Sequence, residues 1–189
     1  MVRKGLWPNL QRNWRKKASP PVRGPFRITC AERYSTGNPH WALDIAPAIW
    51  RYAPVRAVRD GVILDCNDGE PDNPPRRYVG MPSNWVLLGW TTKEGRKRSA
   101  YYQHLKCGSV KVSKGQRVKH GQVLGRMGTS GNTSGLHLHF SVHSGWINAS
   151  QRYNQMADPN RFWPPTKIWL KPKRPRRFSF YKGRPVIGK

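Results

Sequence analysis

Apolar Leu136, Leu138, Phe140 and Val142 alternate with His137, His139, Ser141 and His143. A period of two predicts a strand with one greasy face toward a core and a second face that carries histidines in a row. The run Trp85–Trp90 is aromatic and β-prone, and Tyr101–Leu105 follows it. Regular alternation there would put Ala100, Tyr102 and His104 on one face. Short runs of this kind recur between glycines and prolines, and no sustained helical period appears. The pattern predicts a mostly β fold built from antiparallel sheets. No apolar stretch of about 18 residues exists, which excludes a membrane-spanning helix, and the basic N-terminus lacks the apolar run of a signal peptide.

Candidate chemistry enters with the histidines. His40 and Asp44 form an H-x-x-x-D string, and His137 and His139 form an H-x-H string about a hundred positions later. On a straight strand His40 and Asp44 would sit about 13 Å apart, too far to share one metal. Thr36-Gly37-Asn38-Pro39 is turn chemistry immediately upstream, so His40 is expected at the end of a loop and Asp44 on the strand that the loop feeds. Pro39 and Pro47 leave little room for a helix instead. Together the strings offer three zinc-type donors and a spare histidine, the inventory of a metal that activates water. His143 lies on the face of His139, and Tyr102 on that of His104, so both are candidates to line a substrate groove. His120 sits in a polar turn and reads as surface. The run Gly128-Thr129-Ser130-Gly131-Asn132-Thr133-Ser134-Gly135 lacks the Gly-Lys-Ser/Thr of a phosphate loop and precedes a strand, so its glycines are expected to serve tight turns.

The order of these strings resembles the lysostaphin-like (LytM-type) zinc metalloendopeptidases that cut peptidoglycan. The resemblance covers roughly Phe26 to Trp163 and takes in H-x-x-x-D, Tyr102 to His104, the glycine run, H-x-H and Asp158-Pro159. It also takes in 55–63, which looks like an early hairpin of that family, and 112–125, a hairpin with glycines at its turns. It implies antiparallel sheets that form a groove. It implies zinc held by His40, Asp44 and His139, with His104 and His137 as the catalytic histidines that polarise water and stabilise the oxyanion. Its implied substrate is bacterial peptidoglycan. One departure is Ala42, where the family often carries glycine.

Charge divides the chain into three. The formal net is +26, from 35 Lys and Arg against 9 Asp and Glu. Residues 1–24 and 165–189 contain no acid and are rich in Pro, Trp and Arg. They read as basic arms around a domain at 25–164, suited to anionic or assembly partners. Trp7, Trp14, Trp163 and Trp169 are stacking candidates if such a partner is nucleic acid. A peptidoglycan enzyme with basic arms and no visible secretion signal suggests a bacteriophage product, riding on the virion tail or set free at lysis, whose arms bind other virion proteins or the wall. The alternatives are a virion structural protein that uses the fold as an assembly module, and a nucleic-acid-binding protein. Cys30, Cys66 and Cys107 lack metal-knuckle spacing and read as free or partly buried thiols; which pair, if any, is bridged stays open.

Overall fold

The computed structural model describes residues 20–23, 26–30, 40, 42–48, 52–74, 80–148, 156–157, 179–181 and 184–186. Their regular structure is β throughout, and the strands pair antiparallel. The main sheet has eight strands. In spatial order seven of them are β1 (Phe26–Cys30), β2 (Leu43–Pro47), β9 (Leu138–Ser144), β6 (Lys97–Leu105), β5 (Asn84–Thr91), β4 (Gly61–Asn67) and β7 (Arg117–Val118). The eighth, β10 (Met156–Ala157), also pairs with β9. A second sheet joins β3 (Pro54–Arg56) to β8 (Val123–Arg126), and β11 (Ser179–Tyr181) pairs with β12 (Arg184–Val186).

The alternation in β9 does what its period requires. Leu138, Phe140 and Val142 are fully buried in one apolar cluster with Ala100 and Tyr102 of β6, Val86 and Leu88 of β5, and Ile45 of β2. Val55 of β3 and Leu124 of β8 complete that cluster, so the small sheet belongs to the layer that covers this face. The opposite face carries His139, Ser141 and His143, with a smaller apolar cluster of Leu87, Tyr101 and Ile147.

The two expected hairpins are not hairpins. Residues 55–63 do contain two strands, but β3 pairs with β8 while β4 pairs with β5 and β7. Residues 112–125 likewise send β7 to the main sheet and β8 to the small one. Local turn chemistry marked where the chain reverses but not which sheet each arm joins, because that is decided by long-range burial.

The N-terminal boundary also moves. Val22 is 1% exposed, sits in the main core and bridges to Val55, and Pro21 accepts a hydrogen bond from Arg56 N at 2.7 Å. Residues 20–23 are therefore part of the folded body, not of an arm. Burying one valine is worth about 1.5–3 kcal/mol. A chain that begins at Pro25 is expected to be less stable by about that amount than one that begins at Pro20. Urea denaturation of the two checks this, and equal midpoints would refute it. The pair β11–β12 gives part of the basic C-terminal segment paired structure as well. Residues 1–19, and with them Trp7 and Trp14, lie outside the described residues, as do Trp163, Trp169 and Asp158-Pro159.

Candidate metal centre

His40 and Asp44 converge by a turn. Ala42 N donates to the His40 carbonyl at 2.8 Å, a three-residue reversal that lifts His40 off the line of β2. Asp44, on β2, lies directly opposite His139 on β9, so the two share a face. The outcome is a triangle of donor atoms. His139 Nδ1 is 3.0 Å from Asp44 Oδ1, His40 Nε2 is 3.3 Å from the same oxygen, and the two ring nitrogens are 3.2 Å apart. Donors about 2.0–2.1 Å from a tetrahedral zinc stand about 3.3 Å from one another. The triangle therefore has the size of three zinc ligands with one position left over. His40 presents Nε2 and His139 presents Nδ1, a distinction that spacing alone does not reveal.

Electrostatics suit a cation. Burial by itself would raise the Asp44 carboxyl, but hydrogen bonds with His139 and His40 and electrostatic attraction to His139 and His137 outweigh it and hold the group well below the usual carboxylate range. A buried anion between imidazoles is the arrangement a metal ion neutralises.

The other two histidines stand beside the triangle. His137 Nε2 is 3.7 Å from Asp44 Oδ1, and the His104 ring lies 4.8 Å from that of His137 and 6.0 Å from that of His139, centroid to centroid. Each is held from behind. His104 Nδ1 donates to the Ser130 carbonyl at 2.8 Å, and His137 Nδ1 donates to the Gly135 carbonyl at 2.9 Å with Thr133 Oγ1 at 3.0 Å. A carbonyl only accepts, so Nδ1 carries the proton in both rings, and in the neutral form the lone pair is on Nε2. Burial, then the neighbouring histidines, push His104 down to about 3. Burial also lowers His137. Both rings are neutral at neutral pH.

His104 reaches this place by breaking the alternation of β6. Trp85 pairs with Gln103 and Asn84 with Leu105, so His104 is the extra residue of a bulge, and its φ of 63° is left-handed. Strain of this kind costs about 1–3 kcal/mol and persists only where the surroundings impose it. Here they do. Gly128 N donates to the His104 carbonyl at 2.8 Å, and a Cβ on Gly128 would collide with the backbone of Lys106. The Leu105 carbonyl accepts from Ser130 Oγ at 2.7 Å and from Asn84 Nδ2 at 3.1 Å. Asn84 N in turn donates to Ser130 Oγ at 3.0 Å. Gly131, at φ 77°, closes the turn. The glycine run is thus the clamp on His104. Asn84 and Ser130 were missed in the sequence, because their shared partner is the carbonyl of the remote Leu105; Thr133, whose partners Gly135 and His137 are close in the chain, was missed as one polar residue of the glycine run. Only the polarity of Asn84 at the head of an apolar strand hinted at a role.

The face expected for His104 is corrected by the same bulge: Ala100 and Tyr102 point into the core, and His104 does not share their side. Tyr102 is fully buried, packs on Phe140, and its hydroxyl accepts from Val58 N at 3.1 Å. It lines no groove. His143 does share the face of His139, but it is fully buried, with Ser141 Oγ at 2.9 Å from its Nε2, so it is not a groove residue either. What does flank the site is a row of directly opposed residues on one face: Cys30, Asp44, His139, Gln103 and Trp85 on β1, β2, β9, β6 and β5. Gln103 Nε2 donates to Ser83 Oγ at 2.8 Å, and Trp85 packs on Tyr101.

The depressed histidines carry a stability consequence. Between pH 6.5, the ordinary histidine value, and about 3, the unfolded chain binds a proton at residue 104 that the folded chain refuses. Stability then falls as pH falls, by up to about 1.4 kcal/mol per pH unit for one such group. His137 adds to the slope in the same direction, and Asp44 contributes only below the ordinary carboxylate range. The metal-free chain is expected to lose stability from pH 6.5 downward, and His104→Gln to flatten that slope. Denaturant midpoints at pH 7 and pH 5 measure both; identical slopes would refute the assignment.

The sequence model of peptidase family M23 matches residues 38–155. Glycyl-glycine endopeptidase ALE-1 of Staphylococcus capitis is 33% identical over 104 residues, which are 55% of this chain and 24% of that protein. The chain therefore spans about a quarter of the length of this relative. A zinc-containing peptidase from Vibrio cholerae aligns with a TM-score of 0.50 at 26% identity, over 67% of this chain and 36% of the other. A mutant catalytic domain of the prophage-encoded M23 protein EnpA from Enterococcus faecalis aligns with a TM-score of 0.53 at 21% identity, over 75% and 95% of the two chains, a likeness of fold.

Proposed function

The chain belongs to peptidase family M23, and from that membership we propose that it is a zinc-dependent endopeptidase that hydrolyses peptide bonds of bacterial peptidoglycan. The observation that carries the reading is the donor triangle of His40, Asp44 and His139, with two neutral histidines whose Nε2 lone pairs lie beside it. Zinc held by those three donors supplies Lewis acidity toward water and toward the scissile carbonyl.

The remaining work falls to this chain's own groups. His137, the nearer ring, takes the proton of the attacking water on Nε2 and returns it to the leaving amine. His104 stands behind it with the same tautomer. A lone pair cannot stabilise an oxyanion, so either ring does so only after it has been protonated. The carbonyls of Ser130 and Gly135 keep both rings turned toward the reacting atoms. Gln103 and Trp85 continue the row of His139 and give an extended peptide a floor with a polar and an aromatic place.

The basic ends support action at an anionic surface. We extend the reading to an enzyme that rides on a bacteriophage particle or is released at lysis, with the arms as docking segments on virion proteins or on the wall. Mass spectrometry of purified particles tests that extension. The peptidase reading is tested by metal analysis of the purified chain, followed by digestion of isolated peptidoglycan and mass spectrometry of the fragments. New amino termini in stem or bridge peptides are expected. Release of glycan fragments alone, or no release by zinc-loaded protein, would overturn it.

A further inference from the structure

A second bulge acts on the same site. On β1, Ile28 lies opposite Ile45, and the next paired residue, Cys30, lies opposite Asp44. The register shifts at Thr29; in an unbulged strand Thr29 would oppose Asp44 and the cysteine would fall on the other face. Ile28 packs on the core. Directly opposed residues share a face, so the bulge delivers the Cys30 thiol to the face of Asp44 and His139. The side chains follow the backbone: one ligand atom from each of Cys30, His40 and Asp44 lies within 4.8 Å of the other two.

Sulfur and nitrogen or oxygen donors on one tetrahedral zinc stand about 3.6 Å apart. Relative to His40 and Asp44 the thiol is thus within about 1.2 Å of that spacing, the range of a small χ1 adjustment. The triangle leaves one tetrahedral position, and cysteine is the strongest zinc ligand among the side chains that border it.

We propose that Cys30 is a fourth protein donor to this metal, an inference that rests on the metal site of the preceding section. As the sulfur–metal bond forms, the thiol proton passes to solvent and a water molecule leaves the fourth position. The closed form holds the metal as a structural site does, with four protein donors. The open form, with the sulfur swung aside, admits water and substrate. Thiophilic metals favour the closed form, and thiol-capping reagents favour the open one.

Cobalt(II) loaded into the full-length chain reads the ligands directly. The expected result is a thiolate-to-cobalt charge-transfer band in the near ultraviolet. It should vanish in Cys30→Ser and Cys30→Ala and persist in the Cys66→Ser/Cys107→Ser double variant. Cadmium affinity should fall about tenfold or more in Cys30→Ser, and zinc affinity by less. A measurement on the unmodified sequence guards against a folding defect in the variants: zinc should slow alkylation of Cys30 by iodoacetamide, followed by peptide mass mapping, and leave Cys107 unaffected. Bound cobalt without the band, or Cys30 alkylation indifferent to zinc, overturns the proposal. His139→Ala separates the two readings. If it binds no cobalt while the band is missing from the unmodified chain, the metal site stands and only the role of Cys30 falls. If it binds cobalt as well as the unmodified chain does, the metal site itself is wrong.

Discussion

His139→Ala is expected to abolish both metal binding and hydrolysis while leaving the fold intact. The imidazole closes two of the three edges of the donor triangle, at 3.0 Å to Asp44 and 3.2 Å to His40. Loss of an outer partner of a metal ligand costs about 10–100-fold in affinity, and loss of a ligand from a three-donor site costs more. The fold is insulated from the change. Leu138 and Phe140 on either side of His139 hold β9 to the core, and the strand keeps its backbone pairing to β2 and β6. Zinc raises the melting temperature of any chain that binds it only when folded. Calorimetry should therefore give a cooperative transition for the metal-free variant at a midpoint somewhat below that of the metal-free parent, since Asp44 loses its 3.0 Å partner, and a zinc-induced rise only for the parent. A zinc-induced rise of equal size in the variant would show that the metal is held elsewhere.

The residues of the triangle were legible because their types are rare and their spacing interacts with strand geometry. The alternation of Leu136–His143 was enough to put His139 on a polar face, and the four-residue spacing of His40 and Asp44 was enough to demand a bend if both were to hold one metal. What the sequence hid was the two insertions. A bulge adds one residue to one strand and leaves no mark in the hydrophobic pattern, because the pattern on either side still alternates. His104 was therefore assigned to the face of Tyr102, and Cys30 was read as an ordinary thiol. The same limit explains the groove candidates. Tyr102 and His143 have polar tips, but both are buried, the Tyr102 hydroxyl against Val58 N and His143 Nε2 against Ser141 Oγ. Sheet membership was hidden for a different reason. Residues 55–63 and 112–125 look like self-contained reversals, yet their strands are shared between two sheets, since each alone buries too little to choose its neighbour.

Loss of His104 or His137 should act on turnover and spare the metal. Neither ring supplies an atom of the triangle, and each is tethered by Nδ1 to a backbone carbonyl rather than to a ligand. Removal of a general base costs about 10²–10⁴-fold in rate. The substitution has to be chosen with the backbone in mind. At φ 63° an alanine at position 104 adds strain to the loss of the ring, whereas asparagine tolerates the left-handed region. His104→Asn is therefore the clean variant, and His137→Ala, on a regular backbone, is its counterpart. Both should bind one zinc per chain as the parent does, and both should fall by about 10²-fold or more in kcat on soluble muropeptides. His137, nearer to Asp44 Oδ1, should show the larger fall. Their double variant should lose less than the product of the single effects, since rings 4.8 Å apart serve one proton path. Zinc loss from either variant comparable to that of His139→Ala, or a rate within tenfold of the parent, would remove these two histidines from the chemistry. The Ser130 and Gly135 carbonyls would then be anchors for packing alone.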